Sequence, residues 1–286
     1  MILITGASGH LGGATIDFLL KKNPEVKIKA LVRSEEKGKE LKNKGVEVAI
    51  GDYLDYNSLE KAMKNVELLL LVSSSTMGDR HGQHLNVIKA AKQAGVKHIV
   101  YTSVLKADPN SKLSLAVDHV KTEKDIKISG IDYTILRNTY YADFLPMIIS
   151  NAPESGTIYY SAGNTKVNFA ARIDMAEANA VVLSDLTDHK NKIYEITSGN
   201  SYSFRDIAEM ISKIKNSEIK YVDIPSDTLK ENIIKAGMPE EVADMMSGIA
   251  DSMRAGDFEF TDPALENLIG RKPADLKEFL TGVYSK

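Results

Sequence analysis

The sequence contains no cysteine, which removes disulfides, thiolate catalysis and cysteine metal sites from consideration. It has no large excess of either charge: 36 Lys and Arg stand against 39 Asp and Glu, a net charge of −3. Such a balance leaves no electrostatic footprint for nucleic acid or an anionic membrane. Long apolar runs are missing too. The longest strongly apolar stretch, 66–72, is far short of the roughly 20 residues that cross a bilayer. No cationic segment precedes Ile2, so the first residues do not read as a signal peptide. These absences lead to the expectation of a cytoplasmic protein that binds neither nucleic acid nor membrane. The 286 residues, 43% hydrophobic and 26% charged, suffice for one large or two modest globular domains.

What is present is concentrated at the start. An apolar run breaks at Gly6, glycines recur at Gly9 and Gly12, and an amphipathic segment follows from Leu11. Strand, glycine turn and helix in that order form a phosphate cradle. The glycines let backbone approach a pyrophosphate, and the free N–H groups of the helix N-terminus point at it. The expected cradle is Gly6, Ala7, Ser8, Gly9, His10 and Leu11. Glycine turns are common, and the strand before and helix after supply the confirming context.

The first half of the chain alternates between strand and helix patterns. Strands are expected at 2–4, 27–32, 46–50, 67–72, 98–102 and 133–136, with helices at 11–22, 35–44, 55–64, 82–94 and 116–128. Gly45, Gly95 and Gly130 punctuate three αβ joints. The pattern predicts an α/β fold: a Rossmann-type, doubly wound parallel sheet with a smaller, mostly helical C-terminal lobe. Residues 1–140 are read as the nucleotide-binding domain, with 165–198 returning to it; 141–164 and 199–286 form the smaller lobe. A helix is expected at 141–151, and strands at 157–160 and 166–170.

Three further positions invite a nucleotide. Arg33, at the end of the second strand, stands where an acidic residue selects NADH, and a cation there suits the 2′-phosphate of NADPH. A solvated strand-end arginine is the plainer alternative, and Ser34 adds a hydroxyl. Asp52, after the third strand, can accept from the adenine amino group or cap the next helix, for which Asp55 is the better candidate. Ser73, Ser74 and Ser75 end the fourth strand, where ligands of such sheets bind; a polar turn after a core strand is the plainer alternative. His81 and His84 have no carboxylate or cysteine neighbours in sequence that suggest a metal, though His81 and Gly82 are placed to border a pocket.

None of the twelve tyrosines has a lysine four residues later. The Tyr-x-x-x-Lys proton relay of ordinary short-chain alcohol and sugar reductases is therefore missing.

The whole chain resembles an atypical short-chain dehydrogenase/reductase of the NmrA-like group. It is especially similar to bacterial type 2 NADPH:quinone oxidoreductases and triphenylmethane dye reductases. The likeness rests on Ile4-Thr5-Gly6-Ala7-Ser8-Gly9-His10-Leu11-Gly12, Leu31-Val32-Arg33, Gly51-Asp52-Tyr53 and Leu70-Leu71-Val72-Ser73-Ser74-Ser75. It continues through Ala91 to Lys97, Tyr101-Thr102-Ser103, His119 with Thr122-Glu123, Tyr133 to Asn138 and Leu268-Ile269-Gly270. The resemblance implies NADP(H) as cofactor. It also implies that Arg137, Asn138, Thr139, Tyr140, Tyr141 and Ala142 line the nicotinamide and substrate cleft, with Phe169, Ala170, Ala171, Arg172, Ile173 and Asp174 as a second wall. Read from sequence alone, the tyrosines also fit packing roles, Asp174 a helix cap, and His119 either a structural residue or a proton donor.

The expected chemistry is hydride transfer to a small quinone stacked on Tyr140, Tyr141 and Phe169. A quinol oxygen is a fairly good anion, so water can protonate it without a dedicated relay. The alternatives are a dye or azo reductase, and an NADP(H)-sensing regulator without turnover. Homodimerisation through the helices 82–94 and 116–128 is a further expectation.

Overall fold

The computed structural model describes every residue except Met77, Lys112 and Lys286, and nothing of the Ser114 side chain. The chain begins β1 (Ile2–Ile4), α1 (His10–Lys22), β2 (Ile28–Val32), α2 (Glu35–Asn43), β3 (Glu47–Ile50) and α3 (Tyr56–Ala62). It continues through β4 (Leu68–Leu71), α4 (Arg80–Ala94), β5 (His98–Val104), α5 (Ser114–Ser129) and β6 (Asp132–Asn138). Next come β7 (Tyr140–Tyr141), α6 (Leu145–Ile149), α7 (Ala152–Ser155), β8 (Thr157–Tyr160), β9 (Val167–Ala170), α8 (Arg172–Ser184) and β10 (Lys192–Ile196). The remainder is β11 (Ser201–Tyr202), α9 (Phe204–Lys215), β12 (Lys220–Asp223), α10 (Ser226–Lys235), α11 (Glu240–Arg254), α12 (Ala264–Ile269) and α13 (Leu276–Tyr284).

Seven strands form the central parallel sheet in the order β10-β6-β5-β4-β1-β2-β3. β1 pairs in parallel with both β2 and β4, so the strand order reverses there. That reversal opens a crevice beyond the carboxyl ends of β1 and β4, the usual ligand position in open α/β sheets. Leu3, Leu69, Leu71, Ile99 and Ile135 are fully buried in the sheet's hydrophobic cluster. Near-continuous apolar strands of this kind are what a sheet covered on both faces requires. Gly45, Gly95 and Gly130 all carry positive φ at the αβ joints.

The chain divides into two compact units. The first is residues 1–104, 118–137 and 172–194; the second is 105–117, 138–171 and 195–286. In the first, α1 packs on α8, and Asn179 Nδ2 donates to Thr15 Oγ1 at 3.2 Å. Segment 105–117, expected with the nucleotide-binding domain, clusters with the second unit. There the Leu105 N–H bonds to the Asn138 carbonyl at 2.8 Å, and Ser111 Oγ to the Asp257 carboxylate at 2.8 Å.

The second unit holds two small sheets. β9 lies between β7, parallel to it, and β11, antiparallel to it; β12 pairs in parallel with β8. The helix expected at 141–151 is shorter. Tyr140 and Tyr141 instead extend as β7 against Phe169 and Ala170, and Ser150, at φ +50, breaks the helical run. Ser203 opens α9 with a capping box: its hydroxyl accepts from the Asp206 N–H while the Asp206 carboxylate accepts from the Ser203 N–H. Among the described residues no helix is long and apolar enough to cross a membrane.

Candidate functional site

The cradle after β1 is built of backbone. Gly6 turns at φ +59, and the Gly9 N–H closes onto the Gly6 carbonyl at 2.9 Å. A Cβ on Gly12 would lie 2.5 Å from the Gly6 oxygen and 2.9 Å from its carbonyl carbon. Only glycine lets α1 sit this close to the turn. Gly6, Ser8, Gly9 and His10 are exposed, while the side chains of Ala7 and Leu11 are buried. Ala7 and Leu11 therefore present only backbone. α1 begins at His10 with no side-chain cap and no acidic residue in its first turn. Its leading N–H groups and positive dipole end are left for an anion, so the turn fits a dinucleotide pyrophosphate.

Arg33 follows β2 directly and is exposed. Among the described residues none pairs with it, so a ligand phosphate meets no competitor. Ser34 caps α2, accepting from the Lys37 N–H at 3.4 Å. Asp55, not Asp52, caps α3 through the Ser58 N–H at 3.2 Å. Asp52 Oδ1 accepts from the Leu54 N–H at 2.9 Å; its other oxygen is available to a ligand donor.

Tyr53 carries a role the sequence did not announce. Its hydroxyl donates to the Val72 carbonyl at 2.8 Å and contacts Thr5 Oγ1. Thr5 is itself buried; it donates to the Leu70 carbonyl at 3.0 Å and accepts from the Val72 N–H at 2.9 Å. One phenol thus ties the loop after β3 to the ends of β1 and β4, the two strands that flank the crevice.

The serines after β4 divide in role. Ser74 is buried: its hydroxyl donates to Gln83 Oε1 at 2.8 Å and its N–H to His84 Nε2 at 2.8 Å. The Ser74 hydroxyl is turned inward and holds the loop on α4, so the expected cofactor contact at this position falls to its backbone. Ser73 is half-buried and Ser75 exposed.

Behind this loop lies a buried polar cluster. The His84 and Tyr101 rings meet edge-on at 5.6 Å, and the Tyr101 hydroxyl is 2.7 Å from His119 Nδ1. His84 Nδ1 is 2.9 Å from Thr122 Oγ1, which donates to the Asp118 carbonyl at 2.7 Å. Burial pushes the His84 pKa down to about 3, and His119 well below the usual histidine range. Both are neutral at neutral pH. His119 is therefore no imidazolium acid, which corrects the proton-donor expectation in that form. Arg80, one turn before His84 on α4, is buried as well, and burial lowers its pKa.

Arg137 is held by Glu123 through Nε at 2.9 Å and Nη2 at 2.8 Å, and Glu123 also accepts from Ser103 Oγ at 2.7 Å. This bidentate pair within the first unit gives Arg137 a structural anchor, in addition to the place on the cofactor that the resemblance implies. His81 does have a carboxylate neighbour, unseen in the sequence: Nε2 lies 2.6 Å from Asp125 Oδ2, linking α4 to α5. Among the described residues no cluster of three or more His, Cys, Asp or Glu could hold a metal. The Gly82 N–H is capped by Asp79 at 2.8 Å.

In the second unit, Asn138 and Thr139 are buried, and Asn138 Nδ2 donates to the Tyr141 hydroxyl at 3.3 Å. Thr139 Oγ1 donates to the Asn168 carbonyl at 2.8 Å. Tyr141 stacks on Phe144 at 5.8 Å and 14°. Tyr140 contacts Phe144, Phe169 and Phe258 within 5.6–6.1 Å, and burial raises its pKa above the usual phenol range. Phe169 is only 1% exposed, and Ala142, Ala170 and Ala171 are buried. Phe169 therefore backs Tyr140 and offers no flat face of its own. The exposed ring is Phe144, 38% accessible, which the sequence reading missed because a helix was expected to start at 141. Arg172, Ile173 and Asp174 open α8 and belong to the first unit. Asp174 lies in the first turn, where a carboxylate meets the positive helix end. Ile173 is half exposed.

Comparison with known proteins finds relatives that match the full length of the chain. The chain is 37% identical to quinone oxidoreductase 2 of Escherichia coli (strain K12) over 285 residues, covering 100% of this chain and 99% of that protein. The E. coli NADPH-dependent quinone oxidoreductase complexed with NADPH superposes with a TM-score of 0.94 at 37% identity, covering 99% of this chain and 100% of that one. Citrobacter sp. triphenylmethane reductase complexed with NADP(H) superposes equally, with a TM-score of 0.94, 38% identity and 99% coverage of both chains. Residues 1–283 match the NmrA-like family. A glycine cradle at the sheet's reversal, no Tyr-x-x-x-Lys relay and full-length likeness lead to one assignment: the chain belongs to the NmrA-like family.

Proposed function

We propose that the protein is an NADPH-dependent oxidoreductase that reduces quinone-like acceptors. The observation that carries the reading is the full-length likeness to E. coli quinone oxidoreductase 2, with which this chain shares an uninterrupted fold. The residues present fit the cofactor. Gly6 to Leu11 hold the pyrophosphate by backbone and helix dipole, Arg33 takes the 2′-phosphate, and Asp52 takes the adenine amino group. NADPH supplies a hydride when bound. Tyr140, Tyr141 and Phe144 contribute aromatic surface for a planar acceptor, and Asn138 and Thr139 hold that segment in place. Proximity and exclusion of water are what such a site adds to a reactive cofactor.

The test is NADPH and NADH oxidation with a panel of benzoquinones and naphthoquinones. Turnover with NADPH preferred is expected. NADPH binding without turnover would reject the reading and favour a sensor of cofactor state. Reduction of triphenylmethane dyes is a second reading, favoured by the equal likeness to Citrobacter triphenylmethane reductase; adding dyes to the panel separates the two. The reading includes a cytoplasmic location and a homodimer through α4 and α5, which light scattering on the purified protein tests.

A further inference from the structure

The polar cluster behind β4 and β5 has two donor groups that its internal hydrogen bonds do not use. The bonds can be assigned one by one. His84 Nε2 accepts from the Ser74 N–H, so the neutral ring carries its proton on Nδ1 and donates it to Thr122 Oγ1 at 2.9 Å. Thr122 passes its own hydrogen to the Asp118 carbonyl. The Tyr101 hydroxyl lies 3.4 Å from His84 Nδ1, which is already protonated, and 2.7 Å from His119 Nδ1. Its hydrogen therefore goes to His119. That leaves the His119 proton on Nε2, and among the described residues nothing accepts it.

Arg80 is the second. It is 7% exposed and His119 is 5% exposed, yet among the described residues no carboxylate, carbonyl or hydroxyl accepts from the guanidinium. Arg80 and His84 are four apart on α4 and share one helix face, and the His84 and His119 rings are 6.4 Å apart. Arg80 also acts electrostatically on His84, His119 and Tyr101. Among the described residues the buried side-chain atoms without a partner are Asn179 Oδ1 and Tyr284 Oη, so the Arg80 and His119 nitrogens are not sealed off, and donors left free there are open to a ligand oxygen. The cluster sits at the carboxyl end of β4 and beside β5, where ligands of open α/β sheets bind.

We propose that Arg80 and His119 form an oxyanion site in the first unit: the guanidinium supplies charge and the neutral His119 Nε2–H supplies a directed donor to an oxygen of the acceptor. This rests on the reading of the protein as a quinone reductase. In that reaction the acceptor gains two electrons and one hydrogen as hydride from NADPH, which becomes NADP⁺. The negative charge then falls on a carbonyl oxygen, and a proton from water completes the quinol. Donors fixed in advance at that oxygen stabilise the charge as it develops.

The probe is the anion of 2-hydroxy-1,4-naphthoquinone, a stable analogue of the quinolate, followed by its absorbance with and without NADP⁺. Wild type is expected to bind it about tenfold or more tightly than Arg80→Met and His119→Phe. His119→Gln, whose amide N–H can stand in for Nε2–H, should bind within about threefold of wild type. Arg80→Met should leave the melting temperature close to that of wild type, because no protein hydrogen bond of the guanidinium is lost. Its kcat with quinones should fall while NADPH affinity holds. Equal anion binding by wild type, Arg80→Met and His119→Phe overturns the proposal, as does no binding by wild type. A lowered melting temperature in Arg80→Met overturns it too, by making the arginine structural. Selective anion binding without quinone turnover would sustain the site and instead reject the quinone-reductase reading.

Discussion

The cradle after β1 and the polar cluster behind β4 and β5 lie in the same unit, and both sit at carboxyl ends of the same sheet. They are made of different material. The cradle is backbone: its donors are main-chain N–H groups, its glycines have no side chain, and Ala7 and Leu11 are buried. The cluster is side chain: Arg80 and His84 from α4, Tyr101 from β5, His119 and Thr122 from α5. A backbone site is specified by what the residues lack, so one added carbon destroys it. A side-chain site is specified by functional groups converging from distant positions, so conservative exchanges tune it by degrees.

The sharpest way to break that contrast is Gly12→Ala. Its Cβ would meet the Gly6 oxygen at 2.5 Å, and backbone cannot swing aside as a flexible side chain can. The turn and α1 must separate, and displacements of about an ångström at a binding turn cost on the order of 100-fold. NADPH affinity, measured by the quenching or enhancement of nicotinamide fluorescence, should fall by about that factor; a change under about threefold would show that the cradle is not where the cofactor binds. Arg33→Ala comes next. It removes one charge-assisted contact, about 1.5–3 kcal/mol, and leaves the cradle intact. KM for NADPH should rise about 10–100-fold with KM for NADH unchanged. Equal losses for both cofactors would move the 2′-phosphate elsewhere.

The same contrast explains what could be read from the sequence. Gly6, Gly9 and Gly12 announce the cradle because positive φ and close backbone approach restrict residue type at fixed spacing. The first five strands and their helices follow from apolar runs and 3.6-residue periodicity, and Gly45, Gly95 and Gly130 mark the αβ joints. Tyr53 gave no signal, since its partners Thr5 and Val72 are 48 and 19 residues away. Nor did Arg80, whose electrostatic neighbours Tyr101 and Asp118 lie about 20 and 40 residues away. His81 seemed without company until α5 brought Asp125 to it. In the second unit, β11 and β12 have 2 and 4 residues, too few for a period to show. The run at 141–151 looks helical but is opened by the pairing of β7 with β9, a contact that no local propensity encodes.

Acid tests the buried histidines, His84 of the cluster among them, without touching the cradle's glycines. Burial holds His84 at about 3 and His98, bonded to Thr134 Oγ1, at about 4, against 6.5 in an unfolded chain. Between these values the unfolded chain takes up protons that the folded one refuses. The stabilisation is complete above pH 6.5 and is lost as pH falls toward 4 and then 3. Each histidine adds a slope of at most about 1.4 kcal/mol per pH unit. Urea midpoints should therefore fall steadily from about pH 6.5 downward. A flat profile from pH 7 to 5 would mean that these rings are open to protons in the folded state.

The finest distinction is Tyr53→Phe, because Tyr53 is the side chain on which the backbone site depends. The ring stays and only the hydroxyl goes. Thr5 keeps its bonds to the Leu70 carbonyl and the Val72 N–H, but the Val72 carbonyl loses the phenol donor at 2.8 Å. Removing one such bond costs about 1 kcal/mol, or about 2–4 °C in melting temperature for a domain of this size. Part of that cost should appear as a several-fold rise in KM for NADPH with kcat nearly unchanged, because β1 and β4 flank the crevice and the turn at Gly6 rests against Val72, whose Cβ lies 3.2 Å from the position of an added Cβ. A lower melting temperature with unaltered KM would confine Tyr53 to stability. It would also show that the backbone cradle keeps its shape without side-chain support, making the two regions more independent than their shared sheet suggests.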